Sequence, residues 1–162
     1  MKKLFLLRHA KSSWEDPNLS DFERPLNARG IKNALDLRTF FQRQNICPDK
    51  VLVSASYRTL ETLELVGSHF SADIIEKSNA IYHASLEQLI TLIKPIKDCS
   101  TLLLIGHNPS MHQFTEILTN ARLRKFPTCA LAEIEISSDW PDIDKASHNL
   151  LNFLTPKDYA NN

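Results

Sequence analysis

The segment Thr101–Pro109 reads TLLLIGHNP and contains the most strand-like run of the chain, followed at once by Gly106, His107 and a turn. A short continuous apolar run bounded by turn residues is typical of a strand that is buried on both faces of a sheet. Two similar runs occur earlier in the chain, at Leu4–Leu7 and Val51–Val53. Three buried strands of this kind predict a mainly parallel sheet that is covered on both sides.

Helical patterns separate these strands along the chain. We predict helices over residues 27–44, 57–70, 86–94 and 110–119. Asn27 and Ser110 are candidate N-caps, and Ser85 together with Gln88 forms a Ser-x-x-Gln capping box. Because strands that alternate with helices favour a layered architecture, the predicted fold class is three-layer α/β/α with a mainly parallel central sheet.

The C-terminal part of the chain has a different pattern. Apolar and polar residues alternate over Ala130–Ile136, which is typical of a strand with one solvent-exposed face. Leu150–Leu154 can pair with it as an antiparallel hairpin, whereas Ile74–Ile75 is a short strand at best. The sequence has no internal repeat and no linker, and its length of 162 residues fits a single domain over residues 1–162.

The composition excludes several classes of function. With only three glycines, Gly30, Gly67 and Gly106, the chain has neither a P-loop nor a GxGxxG dinucleotide motif. Nineteen basic residues balance nineteen acidic ones, so we expect no nucleic-acid and no membrane partner. No run approaches the roughly 20 apolar residues of a membrane span. Three widely spaced cysteines indicate reduced thiols, and we expect a cytoplasmic protein.

Cationic and imidazole side chains follow three of the predicted strands. Arg8 and His9 come directly after the first strand, Arg58 follows the second, and His107 follows the strongest one. Because the carboxyl ends of parallel strands meet at one edge of a sheet, we expect these four side chains to lie together. Arg58 would also lie in the first turn of its helix, where the helix dipole disfavours a cation unless an anion is bound.

Two guanidinium groups and two imidazoles around one point are typical of a phosphate site. Arginine binds phosphate oxygens bidentately, one imidazole nitrogen can attack phosphorus, and the other imidazole can neutralise charge on the phosphoryl oxygens. We therefore predict phosphoryl transfer through a covalent phosphohistidine. Since the arginines neutralise the charge, we expect no metal and no other cofactor. The other histidines lack partners at metal-ligand spacing and are interpreted as structural or surface residues: His69, His83, His112 and His148.

The residues of these three motifs resemble those of a known family. Leu7–Ser12, which reads LRHAKS, resembles the Arg-His signature of the histidine phosphatase superfamily. Ser54–Thr59 and Gly106–His107 resemble its second and third motifs, in the same order and spacing, from residue 4 to about residue 136. Three further features resemble the SixA-type phosphohistidine phosphatase branch: Ala10, where phosphoglycerate mutases usually have glycine, the segment Arg24–Gly30, and the small size.

The resemblance implies a phosphoglycerate mutase-like fold and a role for each of the four clustered residues. His9 is then the nucleophile, Arg8 and Arg58 clamp the phosphoryl group, and His107 stabilises the transition state. The implied partner is a phosphorylated substrate, and a phosphohistidine-bearing protein is the favoured one. Two alternatives stay open: a phosphatase or mutase that acts on sugar or carboxylate phosphates, and a phosphate-binding module without turnover.

A general acid is harder to place than the other groups. Mutase-like members carry a glutamate after the second motif, and Glu87 is the only carboxylate in residues 80–87. An acid in the first turn of a capped helix also stabilises that helix, so Glu87 has a structural alternative. Asp21, in the long loop Lys11–Pro25, is the other candidate acid. A missing acid would suit a phosphoramidate such as phosphohistidine, whose nitrogen can leave without a strong enzyme acid.

Four further residues are candidates for substrate binding. Ser12 and Lys11 can donate to phosphate, although Lys11 can equally be solvated. Arg24 either contacts the substrate or pairs with a neighbouring acid. Asn108 can touch the substrate, but fixing the turn before the next residue, a proline, is the interpretation we favour. The sequence leaves open whether the Lys11–Pro25 loop closes over the site as a lid.

Overall fold

The structure, a computed structural model, describes residues 1–160. Within that range the strands are β1 Lys2–Arg8, β2 Lys50–Ser54, β3 Ile75–Ser78, β4 Thr101–Gly106, β5 Leu131–Ile136 and β6 Asn149–Leu154. The α-helices are α1 Ala28–Arg43, α2 Tyr57–Val66, α3 Leu86–Ile93, α4 Ser110–Thr119 and α5 Pro156–Tyr159. Short 3₁₀ turns occur at Asp21–Glu23, Ala72–Ile74, Asn79–Ile81 and Trp140–Asp142.

The strands form one mixed sheet with the order β3-β2-β4-β1-β5-β6. β1, β2, β3 and β4 run parallel to one another, whereas β5 is antiparallel to β1 and β6 is antiparallel to β5. The predicted fold class, a mainly parallel sheet with a C-terminal antiparallel hairpin, is confirmed. No helix within the described residues is long and apolar enough to cross a membrane.

Each face of the sheet carries its own apolar core, because successive side chains of a strand point to opposite faces. Leu4 and Leu6 of β1 belong to the core that α3 and α4 cover, whereas Phe5 and Leu7 belong to the core under α1, α2 and α5. All four side chains are at most 2% exposed. A strand buried on both faces thus accounts for the continuous apolar run that the sequence shows.

The register of β1 and β4 places His9 and His107, which follow these strands, relative to each other. Arg8 lies opposite Gly106 in this parallel pair, and the backbone N–H of His9 donates to the carbonyl of Gly106 at 3.0 Å. His9 and His107 therefore leave neighbouring strands at the same level. A Cβ on Gly106 would come within 3.2 Å of both Ile81 and Met111, so the absent side chain lets the covering layer approach closely here.

Two predicted helix starts are confirmed, and one is wrong. The Asn27 side chain accepts from the N–H of Gly30 at the start of α1, and both hydrogen bonds of the Ser85–Gln88 capping box are present at α3. Ser110 is not the cap of α4 but its first residue, because its hydroxyl donates back to the carbonyl of His107 at 2.9 Å.

Two predicted element boundaries are also wrong. α2 ends at Val66 rather than at residue 70, where the N–H of Gly67 closes the last turn on Leu63 and the Phe70 ring folds over Gly67. The strand expected at Ile74–Ile75 instead spans Ile75–Ser78. As an edge strand with exposed side chains, it lacks the apolar run that marks the central strands.

Gly30 is the point at which α1 packs on the chain that follows His9. A Cβ on Gly30 would lie 2.1 Å from the carbonyl oxygen of Lys11, which is backbone and cannot swing aside. The same carbonyl accepts from the N–H of Asn27 at 3.0 Å, and Ser12 forms a β-bridge with Leu26. The start of α1 thereby fixes the backbone at the end of the first motif.

We expect Gly30→Ala to lower the free energy of unfolding by about 1–3 kcal/mol, because overpacking outweighs the better helix propensity of alanine. Gly67→Ala is the matched control, since its Cβ would meet only the movable Phe70 ring. That control should cost less than about 1 kcal/mol. Urea denaturation of both variants measures the difference, and an unchanged or more stable Gly30→Ala would contradict the packing described for α1.

Candidate active site

Three of the four predicted residues are in direct contact beyond the carboxyl ends of β1, β2 and β4. The ring centroids of His9 and His107 are 5.2 Å apart. The Arg58 guanidinium lies between the two rings, with Nε 3.4 Å from Nε2 of His9 and Nη2 3.4 Å from Nδ1 of His107. All three side chains are buried. The edge of the sheet therefore assembles the cluster that the sequence predicts.

Arg8, the fourth residue, is held from the other side of the cluster. Its Nη1 donates to the carbonyl oxygen of Phe126 at 3.0 Å, whereas its buried Nε has no hydrogen-bond partner within the described chain. Burial, followed by the nearby charge of Arg58, lowers the pKa of Arg8. The half-buried Arg8 and the buried Arg58 lie close enough to repel each other, and such a pair of guanidinium groups favours an anion.

His9 carries its proton on Nδ1. This nitrogen lies 2.7 Å from the carbonyl oxygen of Ala10, which can only accept, so Nδ1 must be the donor. Nε2 therefore holds the lone pair and accepts from Nε of Arg58. Burial lowers the pKa of His9 to about 3, opposed by the bond to Ala10 and reinforced by His107, Arg58 and Arg8. His9 is consequently neutral, with an available lone pair, at neutral pH.

His107 has the opposite tautomer. Because a guanidinium can only donate, Nδ1 of His107 accepts from Arg58, and Nε2 donates to Oγ of Ser54 at 2.8 Å. Burial and then the charge of Arg58 lower the pKa of His107 to about 3. The Ser54 hydroxyl, at the end of β2, thus orients the ring so that Nδ1 faces the site.

Arg58 lies in the first turn of α2, where the helix dipole favours a negative partner. Asp21 supplies that partner from the long loop. Nη1 of Arg58 donates to the backbone carbonyl of Asp21 at 2.6 Å, and Nη2 donates to its carboxylate at 3.1 Å. A carboxylate thus satisfies the cation that the sequence predicts to need an anion.

Asp21 is an ionised carboxylate rather than a proton donor in this arrangement. It accepts from the hydroxyl of Tyr82 and pairs with Nη2 of Arg24 at 3.2 Å, in addition to its contact with Arg58. The hydrogen bond from Tyr82, together with Arg58 and Arg24 and against the opposing effect of burial, lowers the pKa of Asp21 to about 2. At neutral pH the group predicted as a general acid therefore carries no proton to give.

Glu87, the other candidate acid, lies in the first turn of α3 on the solvent side. Within the described residues, its side chain makes no hydrogen bond or ion pair with His9, Arg58 or His107. The structure places it where an acid stabilises a helix N-terminus and does not bring it into the cluster. Neither predicted acid therefore presents a proton to the site.

The four candidate substrate-binding residues occupy different environments. Ser12 is buried beside the site, whereas Lys11 is exposed. Asn108 donates through Nδ2 to the carbonyl of Phe126 at 2.8 Å, the same oxygen that Arg8 uses, and its buried Oδ1 has no partner in the described chain. Asn108 thus fixes the turn next to Arg8, as the favoured interpretation has it.

Arg24 is buried under the loop and pairs with Asp21, which was one of its two predicted roles. The ring of Trp14, itself 73% exposed, covers the guanidinium at 3.5 Å from carbon to ring centroid. The loop closes on itself through the N–H of Ser13 and the carbonyl of Pro25, 2.8 Å apart. These contacts hold the loop over the site through Asp21.

Sequence reasoning missed Tyr82. Its ring makes edge contacts with His107 and Phe22, at centroid distances of 5.3 and 5.0 Å, and its hydroxyl reaches Asp21. Burial and Asp21 raise the pKa of this phenol. The available signal was its position just after β3, whose carboxyl end lies at the same sheet edge. His83 is exposed, as expected, with its ring 4.0 Å from that of Tyr82.

Comparisons with known proteins agree with this geometry. Residues 4–80 match the family model of the histidine phosphatase superfamily (branch 1). An uncharacterized protein of Mycobacterium tuberculosis strain H37Rv is 31% identical over 163 residues, which cover 93% of this chain and 100% of that protein.

Solved structures of the same fold cover nearly the whole chain. A protein assigned as phosphohistidine phosphatase SixA from Nakamurella multipartitia superimposes with a TM-score of 0.86 at 23% identity, over 96% of each chain. A second, from Agrobacterium tumefaciens, gives 0.83 at 28% identity, over 96% of this chain and 98% of that one. The chain therefore belongs to branch 1 of the histidine phosphatase superfamily and to its SixA-type group.

Proposed function

We propose that this phosphatase removes the phosphoryl group of phosphohistidine in a protein, through a covalent intermediate on His9 and without a metal. The observation that carries the proposal is the state of His9. Its ring is buried and neutral, Ala10 holds the proton on Nδ1, and the lone pair on Nε2 points at the Arg58 guanidinium. A nucleophile and an oxyanion-binding group are thus adjacent before any substrate arrives.

The first step is attack by His9 on phosphorus. Nε2 forms a bond to phosphorus while the bond to the leaving nitrogen breaks and its electron pair stays on that nitrogen. Arg58 and the unpartnered Nε of Arg8 donate to the phosphoryl oxygens, which replaces a metal as the source of positive charge. A bound dianion raises the pKa of His107, so Nδ1 takes up a proton and donates to the same oxygens.

The second step is hydrolysis of phospho-His9. The phosphorylated ring is an imidazolium because Nδ1 keeps its proton, and the carbonyl of Ala10 accepts that hydrogen bond. Water attacks phosphorus, the P–N bond breaks, and its electron pair returns to Nε2. Both protons of the water stay on the product, which leaves as dihydrogen phosphate, so neutral His9 is regenerated without a separate acid.

The substrate class follows from the absence of a proton donor among the described residues of the site. An alkyl phosphate needs a proton donor for its alkoxide, but Asp21 is ionised and Glu87 lies outside the cluster. The imidazole of a phosphohistidine leaves as a neutral ring when its second nitrogen is protonated from solvent. The site therefore favours a phosphoramidate over sugar or carboxylate phosphates. The neutral nucleophile His9 also favours an enzyme over a phosphate-binding module, because binding alone needs no nucleophile.

We expect the enzyme to hydrolyse a phosphohistidine peptide with a kcat/KM well above that for sugar and carboxylate phosphates, with EDTA present throughout. His9→Ala should lose about 10³-fold or more on every substrate while it keeps the wild-type circular dichroism spectrum and Tm. His69→Ala, which removes an exposed ring that packs on Phe70, is the matched control and should keep full activity. Preferential hydrolysis of sugar phosphates, inactivation by EDTA or an active His9→Ala would each contradict the proposal.

We also expect His9 and His107 to stay neutral from pH 8 down to pH 5 in the free protein, because both pKa values lie near 3. Long-range ¹H–¹⁵N correlation spectra should show the Nδ1–H tautomer for His9 and the Nε2–H tautomer for His107. Titration of either ring near the ordinary value of about 6.5 would contradict the neutral nucleophile.

The same shifts predict how stability depends on pH. An unfolded histidine takes up its proton near pH 6.5, whereas these two folded rings do so only near pH 3. Between these values the unfolded state binds more protons, so the free energy of unfolding falls as the pH drops from 6.5 to 3. Because His9→Ala lacks one of these two rings, its denaturation midpoint should fall less than that of the wild type between pH 6.5 and pH 3.

A further inference from the structure

The Arg58 guanidinium has different partners at its two ends. Nε donates to Nε2 of His9, whereas Nη1 and Nη2 donate to the backbone carbonyl and the carboxylate of Asp21. The nucleophile and the carboxylate therefore lie at opposite ends of one planar cation. Because attacking and leaving groups are roughly in line in phosphoryl transfer, a phosphoryl group bound by this cation and attacked by His9 directs its leaving group toward Asp21.

The imidazole that leaves the substrate must carry a proton on its distal nitrogen, and the same holds for His9 when it leaves phosphorus in the second step. On the proposed function, on which this inference rests, the phosphoryl group passes from one imidazole to another. An imidazole leaves as a neutral ring only if its distal nitrogen carries a proton. His9 meets this requirement with its Nδ1–H donated to the carbonyl of Ala10 at 2.7 Å. The substrate ring needs an equivalent acceptor on its own side.

We propose that the Asp21 carboxylate is this acceptor: it binds the distal N–H of the substrate imidazole and keeps that ring protonated while the N–P bond breaks. Asp21 is the carboxylate that touches the catalytic cluster, and its side chain is 44% exposed, so a ring can approach it from solvent. An adjacent anion favours the charged form of an imidazole. Asp21 thus accepts a hydrogen bond that stabilises the protonated imidazole of the substrate, and it does not itself donate a proton.

The step balances without a proton from the enzyme. The substrate enters with its distal nitrogen protonated and hydrogen-bonded to Asp21. Nε2 of His9 bonds to phosphorus, the substrate N–P bond breaks, and its electron pair neutralises the departing ring. The distal proton stays on the ring throughout, so Asp21 remains a carboxylate before and after the step.

The surroundings of Asp21 suit a flat cationic ring. Tyr82 and Phe22 place aromatic rings beside the carboxylate, at a centroid distance of 5.0 Å from each other. The other charged or titratable groups that face Asp21 are Arg58, Arg24 and His107. When Arg58 donates to the bound phosphoryl oxygens instead of to Asp21, the Asp21 carboxylate loses one cationic partner. The substrate imidazolium can then replace it.

Asp21→Asn separates this role from the alternatives, because the amide keeps the shape of the side chain and removes the negative charge. Two substrates are compared: a phosphohistidine peptide, and p-nitrophenyl phosphate, whose phenolate leaves without a proton. We expect kcat/KM on the peptide to fall at least about tenfold further than that on p-nitrophenyl phosphate, on which only the weakened contact between Asp21 and Arg58 acts. Asp16→Asn, in the same loop, is the charge-matched control, since within residues 1–160 its carboxylate accepts a hydrogen bond only from the N–H of Asn18.

The pH profile on the peptide provides a second readout. Loss of the carboxylate should move the alkaline limb of kcat to lower pH, because kcat reports the pKa of the imidazolium in the enzyme–substrate complex, and Asp21→Glu should restore most of it. An equal loss on both substrates would show that Asp21 only positions Arg58, and a lower KM for both would show that it only occludes the site. Either result, or no change, overturns the inference. A wild-type enzyme inactive on phosphohistidine would instead overturn the proposed function.

Discussion

A buried guanidinium needs hydrogen-bond acceptors on every side, and Arg58 finds them in His9, His107 and Asp21. This one cation adds to the main causes of their ionisation states, which are burial for the two rings and the hydrogen bond from Tyr82 for Asp21. The two rings stay neutral because they are buried and a positive charge lies against them, and the carboxylate stays ionised beside the same charge. Arg58 thus lies between a neutral nucleophile on one side and an ionised carboxylate on the other.

The fold supplies the constraint that makes this arrangement possible. Parallel pairing of β1 with β4 brings His9 and His107 to the same level, and the neighbouring β2 delivers Arg58 from the first turn of α2. Gly30 allows α1 to pack on the backbone after His9, so the nucleophile stands on a rigid base. The long loop then brings Asp21 across the open edge.

Much of this could be predicted because the central strands carry strong periodic signals. Continuous apolar runs located the ends of β1, β2 and β4, and strand-end geometry then placed the four clustered residues together. The contacts of Asp21 with Arg58 and Tyr82 could not be predicted, since Asp21 and Tyr82 lie in irregular segments whose conformation depends on tertiary contacts. The same reason explains the wrong assignment at Ser110, where a hydroxyl bonds the preceding turn instead of capping the helix.

The central claim is that a phosphoryl group resides on Nε2 of His9 during turnover. Rapid quenching into alkali, after mixing enzyme with a ³²P-labelled phosphohistidine peptide, captures such an intermediate because the P–N bond is labile to acid. The account predicts transient label that is stable in alkali, is lost in acid and maps by mass spectrometry to His9. Turnover without labelled protein, or label that maps to His107 or to a residue outside the cluster, would contradict it.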